Sequence, residues 1–326
     1  MTTPLPFVRD LTIEYGVADT VSPLIRRVVA KNPSAFTFKG TGTYIVGRGK
    51  VAVIDPGPLL GDHVAALMRA LAGETVTHIL VTHTHIDHSP AAAPFKAATG
   101  AKSFGYGPHG AGAGANRDPG LAGPFEEGAD RAFTPDIVLR EGDVVEGPGW
   151  HLAAMETPGH TSNHLAFHLP EEDAVFTGDH IMGWSTTAIG PPDGDMALYR
   201  QSLRRFLPES DPERTDSDQN VHEISTRLRG KKDGAFATFW PTHGPPVRDT
   251  VPLVHAYLAH RDEREALILR AMTRGADTVP EIVRRVYLGL DPRLVGAAGR
   301  STLAHLVELE ARGVVVAEAD RYFIRH

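Results

Sequence analysis

Apolar residues fall first into short runs with turn signals between them and later into helical spacing, so the chain divides where the period changes. Residues 41–46 and 50–55 are β-rich and joined by Gly47-Arg48-Gly49, which predicts a hairpin. Asp55-Pro56-Gly57-Pro58 ends the second strand. Val64, Leu67 and Leu71 then repeat at helical intervals, with Asp62 as the expected N-cap. Ile79-Leu80-Val81 predicts a buried strand, and residues 91–99 a short helix.

Residues 105–128 are rich in Gly, Ala and Pro with little periodicity, and predict a mobile loop. Strands are expected at 137–139 and 144–145, on either side of the turn Glu141-Gly142-Asp143, where a second β-rich half begins. Further runs at 152–155, 174–178 and 236–239 each lead towards glycine or proline. Residues 211–234 are polar and charged, an inserted surface loop with a helix expected near 221–228.

Beyond residue 250 the period is helical. One helix is expected over 252–272, a second after Thr278-Val279-Pro280-Glu281, which has capping-box spacing, and a third after Gly299-Arg300-Ser301. Gly313 closes the third, and runs at 314–317 and 322–324 predict a hairpin. Helices followed by a hairpin suggest a winged-helix unit. The expected division is 1–250, a linking helix at 251–274, and 275–326.

Composition narrows the class. With 326 residues, one large unit plus a small one is the prior, and 41% hydrophobic with 22% charged residues fits a globular chain. No apolar run approaches the ~20 residues needed to cross a bilayer, and residues 1–6 lack a secretion signal, so a cytoplasmic location is expected. A net charge of −7 disfavours a surface that tracks polyanions. The absence of cysteine excludes disulfides, thiolate zinc sites and cysteine nucleophiles together.

Any metal must then be held by His, Asp or Glu, and four such residues, His83, His85, Asp87 and His88, sit within six positions after the apolar strand. If the chain stays extended, His83, His85 and Asp87 share one side and His88 is aimed by the following turn. Three more candidates stand at the ends of later β-runs: His160 after Pro158-Gly159, Asp179 after Gly178, and His243 before Gly244. Ligands from separate strand ends can converge at one sheet edge. Such a donor set suits zinc, and also iron or manganese. Asp55 reads either as an acceptor that orients a ligand or as a turn former. His109 and Arg117 are candidate substrate contacts, with ordinary solvated loop positions as the plainer reading. Arg227, Arg229, Lys231 and Lys232 form a basic cluster whose plainer reading is a solvated face.

The pattern His83-x-His85-x-Asp87-His88, then His160, Asp179 and His243, resembles the dinuclear ligand set of the metallo-β-lactamase superfamily. Asn32-Pro33, residues 40–44, residues 157–161, Gly178-Asp179-His180 and the sequence His260-Arg261-Asp262-Glu263-Arg264-Glu265 resemble its lactamase-β-like branch with a C-terminal winged-helix tail. The resemblance implies an α/β fold, an αββα metallo-β-lactamase sandwich with a small C-terminal winged-helix domain. It implies that His83, His85 and His160 hold one metal, and Asp87, His88 and His243 the other, with Asp179 between them. The two divalent ions, zinc first, would then supply a bridging hydroxide, with Asp87 orienting it and His164 as a donor to the reacting oxygen or a structural histidine.

Hydrolysis of a small thioester, lactone or similar ester is the expected activity. The alternative within the same branch is a single-strand endoribonuclease, with RNA as partner, and from another class a non-catalytic winged-helix binding protein. The last helix, residues 302–312, is not a basic reading face, so packing or a lid is expected there rather than DNA binding. Diiron oxygen reductases of this fold place Glu where His85 stands and carry a flavin domain; this chain has neither.

Overall fold

A computed structural model describes residues 5–113, 128–214 and 235–325. The first half builds one sheet in sequence order: β1 (Ala18–Thr20), β2 (Ile25–Val29), β3 (Gly42–Val46), β4 (Lys50–Ile54), β5 (Thr75–Leu80), β6 (Lys102–Gly105) and β7 (Ile137–Val138). Its first strands pair antiparallel, β1–β2 and β3–β4 through short turns and β2–β3 across residues 30–41. From β4 onward pairing is parallel: α1 (Gly61–Ala70) and α2 (Ala92–Thr99) supply the long crossovers for β4–β5 and β5–β6, and β7 lies parallel to β6.

The second sheet has the order β12-β11-β10-β9-β8, from β8 (Val144–Gly147), β9 (Trp150–Glu156), β10 (Leu165–Leu169), β11 (Ala174–Gly178) and β12 (Thr238–Pro241). The strands expected around the turn at 141–143 do form, but they do not pair with each other. β7 is the edge of the first sheet and β8 the edge of the second, so that turn carries the chain between layers. Periodicity marks a strand without naming its partner.

The two sheets face each other over a core that includes Ile25, Tyr44, Ile54 and Leu80 from one and Leu152, Leu165, Phe167 and Phe176 from the other. Helices α1 and α2 cover the outer face of the first sheet with Ala66, Leu67 and Phe95. The outer face of the second is covered by α3 (Met196–Arg204) and α4 (Thr250–Thr273) through Tyr199, Leu203, Leu253, Val254 and Tyr257. This is an αββα sandwich. Inner strands are buried on both faces, which is why they read as apolar runs without alternation.

Strand direction decides where the chemistry gathers. β4 and β5 are parallel, β9 and β11 both oppose β10, and β12 is parallel to β11. The C-terminal ends of β4 and β5, and those of β9, β11 and β12, therefore open on common edges of their sheets, and Thr82 and Thr242 both hydrogen-bond the Asp55 carboxylate across the join.

After α4 come α5 (Val279–Val286), α6 (Val295–Ala311) and the hairpin β13 (Val315–Glu318) and β14 (Arg321–Ile324), which close over Ile268, Met272, Ile282, Leu306, Leu309 and Tyr322. Three local expectations change. Leu60, not Asp62, is the N-cap of α1, and Asp62 lies in the first turn. Thr278 caps α5 without a side-chain bond, while Glu281 accepts from the Asp277 amide instead. Helix α6 starts at Val295, before Gly299, because Asp291 accepts from the Arg293 amide and winds the turn that leads into it. Arg117, the helix expected at 221–228 and the cluster Arg227, Arg229, Lys231 and Lys232 lie outside the described residues. No helix among the described residues is long and apolar enough to cross a membrane.

Candidate metal centre

Strand β5 ends at Leu80, and the chain does not continue extended through the histidines. The amides of His88 and Ser89 both bond back to the His85 carbonyl, so residues 85–89 form a turn. That turn, rather than strand alternation, brings Asp87 and His88 to His243, while His83 and His85 meet His160. His83, His85 and His160 bring one ligand atom each within 4.8 Å of one another; so do His83, His88 and Asp179, and so do Asp87, His88 and His243. His83 Nε2 and His160 Nε2 lie 3.0 and 3.1 Å from His85 Nδ1. Asp179 stands between the groups, 3.5 Å from His88 Nε2, 3.3 Å from His243 Nε2 and 3.7 Å from His160 Nε2.

Four imidazoles are aimed by the nitrogen that faces away from the centre. Thr82 gives its hydroxyl proton to Asp55, leaving the hydroxyl oxygen to accept from His83 Nδ1 at 3.1 Å. His88 Nδ1 donates to Asp55 at 2.9 Å, His160 Nδ1 to the Ala188 carbonyl at 2.7 Å and His243 Nδ1 to the Gly40 carbonyl at 3.2 Å. Fixing Nδ1 as the donor turns each Nε2 inward, towards the centre. Asp55 adopts φ 49, which an aspartate tolerates better than most side chains, and so performs both readings of it: it turns the chain and holds His88.

Charge divides the centre. Burial, followed by the neighbouring imidazoles, holds His83 well below its ordinary pKa; burial and then His160 take His85 down to about 3. Burial also lowers His160. On the other side burial is outweighed. Asp87, Asp179 and Asp55 hold His88 well above the imidazole range, and Asp179 with Asp87 raises His243 to about 10. Burial works upward on both carboxylates, yet His88 and His243 keep Asp87 and Asp179 well below the carboxylate range. Protons on His88 and His243 thus neutralise Asp87 and Asp179, as a cation would.

The donor set fits divalent ions. His83, His85 and His160 converge with few protons to share among them, and His88 Nε2 is buried with no hydrogen bond. All seven donors are oxygen or imidazole nitrogen, which suits zinc, iron or manganese alike.

His164 stands behind the centre. Its Nδ1 lies 2.7 Å from the Thr157 hydroxyl, and its Nε2 accepts from the Asp179 amide at 3.3 Å. Gly178, at φ 52, admits it: a Cβ there would sit 2.6 Å from His164 Nε2. His109 is not a solvated loop residue. Its side chain is 7% exposed, 3.2 Å from the Thr84 hydroxyl and 3.9 Å from Asp193, because its loop folds inward against Asn163, which also donates to Thr84. Thr84 lies between two candidate ligands, so this network steadies both. On the His243 side, Phe38 stacks on Trp184 with ring centroids 4.9 Å apart, and Trp184 lies against Gly244. Thr41, Thr82, Thr84 and Thr187 escaped the sequence reading; their signal is a small hydroxyl residue beside or near a ligand position, too common to stand out alone.

Residues 37–213 match the family model described as the metallo-beta-lactamase superfamily, and residues 278–323 match the beta-lactamase associated winged helix domain. The chain is 26% identical over 294 residues to the lactamase-like protein adaB of Aspergillus niger, covering 83% of this chain and 75% of that one. It is 30% identical over 260 residues to the atrochrysone carboxyl ACP thioesterase AgnL7 of Paecilomyces divaricatus, covering 78% and 67% respectively. A solved beta-lactamase domain protein from Burkholderia ambifaria shares its fold with a TM-score of 0.73 at 21% identity, over 98% of this chain and 97% of that one.

Proposed function

The chain belongs to the metallo-beta-lactamase superfamily of hydrolases, and from that premise we propose that it hydrolyses an acyl thioester at a centre for two divalent metal ions, zinc first among them. Residues 1–250 are the catalytic unit in this reading, 251–274 the linking helix and 275–326 the winged-helix tail. The observation that carries the proposal is the convergence of seven nitrogen and oxygen ligands, with Asp179 within 3.3 to 3.7 Å of imidazoles from both groups. The thioesterase name of AgnL7 supports the choice of bond.

His83, His85 and His160 would hold one ion, Asp87, His88 and His243 the other, and Asp179 both. Bound there, the ions supply Lewis acidity and a water acidic enough to ionise near neutral pH. The chain's own contribution is orientation. Asp55 and the carbonyls of Ala188 and Gly40 fix the ring faces of His88, His160 and His243. Thr41 donates to Asp87 Oδ2 at 3.2 Å, which leaves Asp87 free to turn its other oxygen towards the attacking water. His164, with both nitrogens engaged by Thr157 and the Asp179 amide, acts in this reading by holding Asp179 in place and not as a donor to substrate. Phe38 and Trp184 offer an apolar wall to the acyl group.

A thiol-release assay with acyl-CoA thioesters tests the reading, and the chain's lack of cysteine removes any protein background from it. Saturable thiol release by the zinc-loaded protein is expected, little changed between low and high salt and lost in Asp87→Ala. RNA cleavage that falls steeply with salt, without thiol release, would establish the endoribonuclease alternative instead.

A further inference from the structure

A buried arginine outside the ligand set is tied to the centre by an unbroken chain of hydrogen bonds. Arg261, on α4, is 2% exposed, and among the described residues no carboxylate pairs with it. Taking a guanidinium out of water without a counter-charge is costly, as for any buried ion, unless its protons find good acceptors. Arg261 Nη2 donates to the Thr187 carbonyl at 2.6 Å, and the guanidinium lies 5.0 Å from the centre of the Tyr199 ring. The hydroxyl of the same Thr187 donates to the Asp179 carbonyl at 2.6 Å and approaches that of His180 at 3.1 Å.

The segment gripped in this way carries two parts of the centre. Asp179 begins it, and Ala188, whose carbonyl aims His160, follows Thr187 directly. Other bonds on the same segment run to the same helices. Tyr257, one turn before Arg261 on α4, donates towards the carbonyls of Met182 and Ser185 and accepts from the Met182 amide, while Tyr199 of α3 donates to the His180 carbonyl. From the tail, α6 carries the wholly buried His305, which burial, and after it Arg261, holds well below the ordinary imidazole range.

We propose that Arg261 is a positioning residue for the metal centre: through Thr187 it sets the backbone of Asp179 and the carbonyl that orients His160. This inference rests on the metal reading of the site but not on the bond that is hydrolysed. It also gives the linking helix a share in catalysis that packing alone does not require.

Cobalt(II) titrated into the metal-free full-length protein, followed by its visible spectrum, tests the proposal without using activity. Arg261→Met and Thr187→Val are each expected to weaken cobalt binding about 10- to 100-fold, the usual effect of losing a group that orients a ligand, and to alter the spectrum. The double variant should bind no worse than the weaker single one, because both changes cut one chain of bonds. Should Arg261→Met not fold, Arg261→Lys decides, since it keeps the buried charge but not the planar guanidinium that reaches the Thr187 carbonyl, and the same weakening is expected of it. Wild-type affinity and spectrum in the variants overturn the role of Arg261. A wild-type protein that binds no cobalt overturns the metal reading, and this inference with it.

Discussion

Asp55 Oδ2 lies 2.9 Å from His88 Nδ1, and the same carboxylate takes the Thr82 amide and hydroxyl and the Thr242 hydroxyl. One side chain thus joins the ends of β4, β5 and β12 and aims a ligand. Asn at this position keeps the shape and tolerates the left-handed backbone, but it has one acceptor oxygen where the carboxylate has two. Asp55→Asn should weaken metal binding about 10- to 100-fold, read by competition with a chromophoric chelator. Unfolding in urea should show a loss of about 1–3 kcal/mol, from donors left buried without acceptors.

Gly178→Ala is expected to be worse than its size suggests. The position has φ 52, and the added carbon would meet His164 Nε2 at 2.6 Å and Thr82 Cβ at 3.0 Å. Strain and overpacking together should cost at least about 2 kcal/mol. The residue that moves is next to Asp179, so metal content after dialysis should fall alongside the unfolding midpoint.

His63 supplies a pH dependence separate from the ligands. Burial takes its pKa from 6.5 down to about 4, and its Nε2 bonds the Thr43 hydroxyl at 2.9 Å. Between these values the unfolded chain binds a proton that the folded chain does not, so stability rises with pH across the window and is lost as pH falls from 6.5 towards 4. From pH 7.5 to 5.5 the metal-free protein should lose about 1 kcal/mol through this group. His63→Gln removes that share, and the difference between the two urea curves measures it; parallel pH profiles would show that His63 does not titrate as described.

Much of this was legible along the chain because it is local. Strand runs end in Gly or Pro turns beside His83, His160, Asp179 and His243, and the shift to helical spacing after residue 250 marks the tail. What could not be read depends on residues far apart. The carbonyls of Gly40 and Ala188 aim two histidines, yet a backbone carbonyl has no side-chain signature. Arg261 reaches Thr187 across 74 positions, and the turn at 85–89 overrides the extended geometry that alternation suggests. Likewise the strands at 137 and 144, adjacent in sequence, join different sheets because each finds its partner in the core and not across the turn.

Thioester hydrolysis by chelator-treated protein, followed as zinc is added in known amounts, bears most directly on the central claim. Turnover should be absent without metal and climb to a plateau at two equivalents per chain. Full turnover in the metal-free protein, unmoved by added zinc, would contradict it.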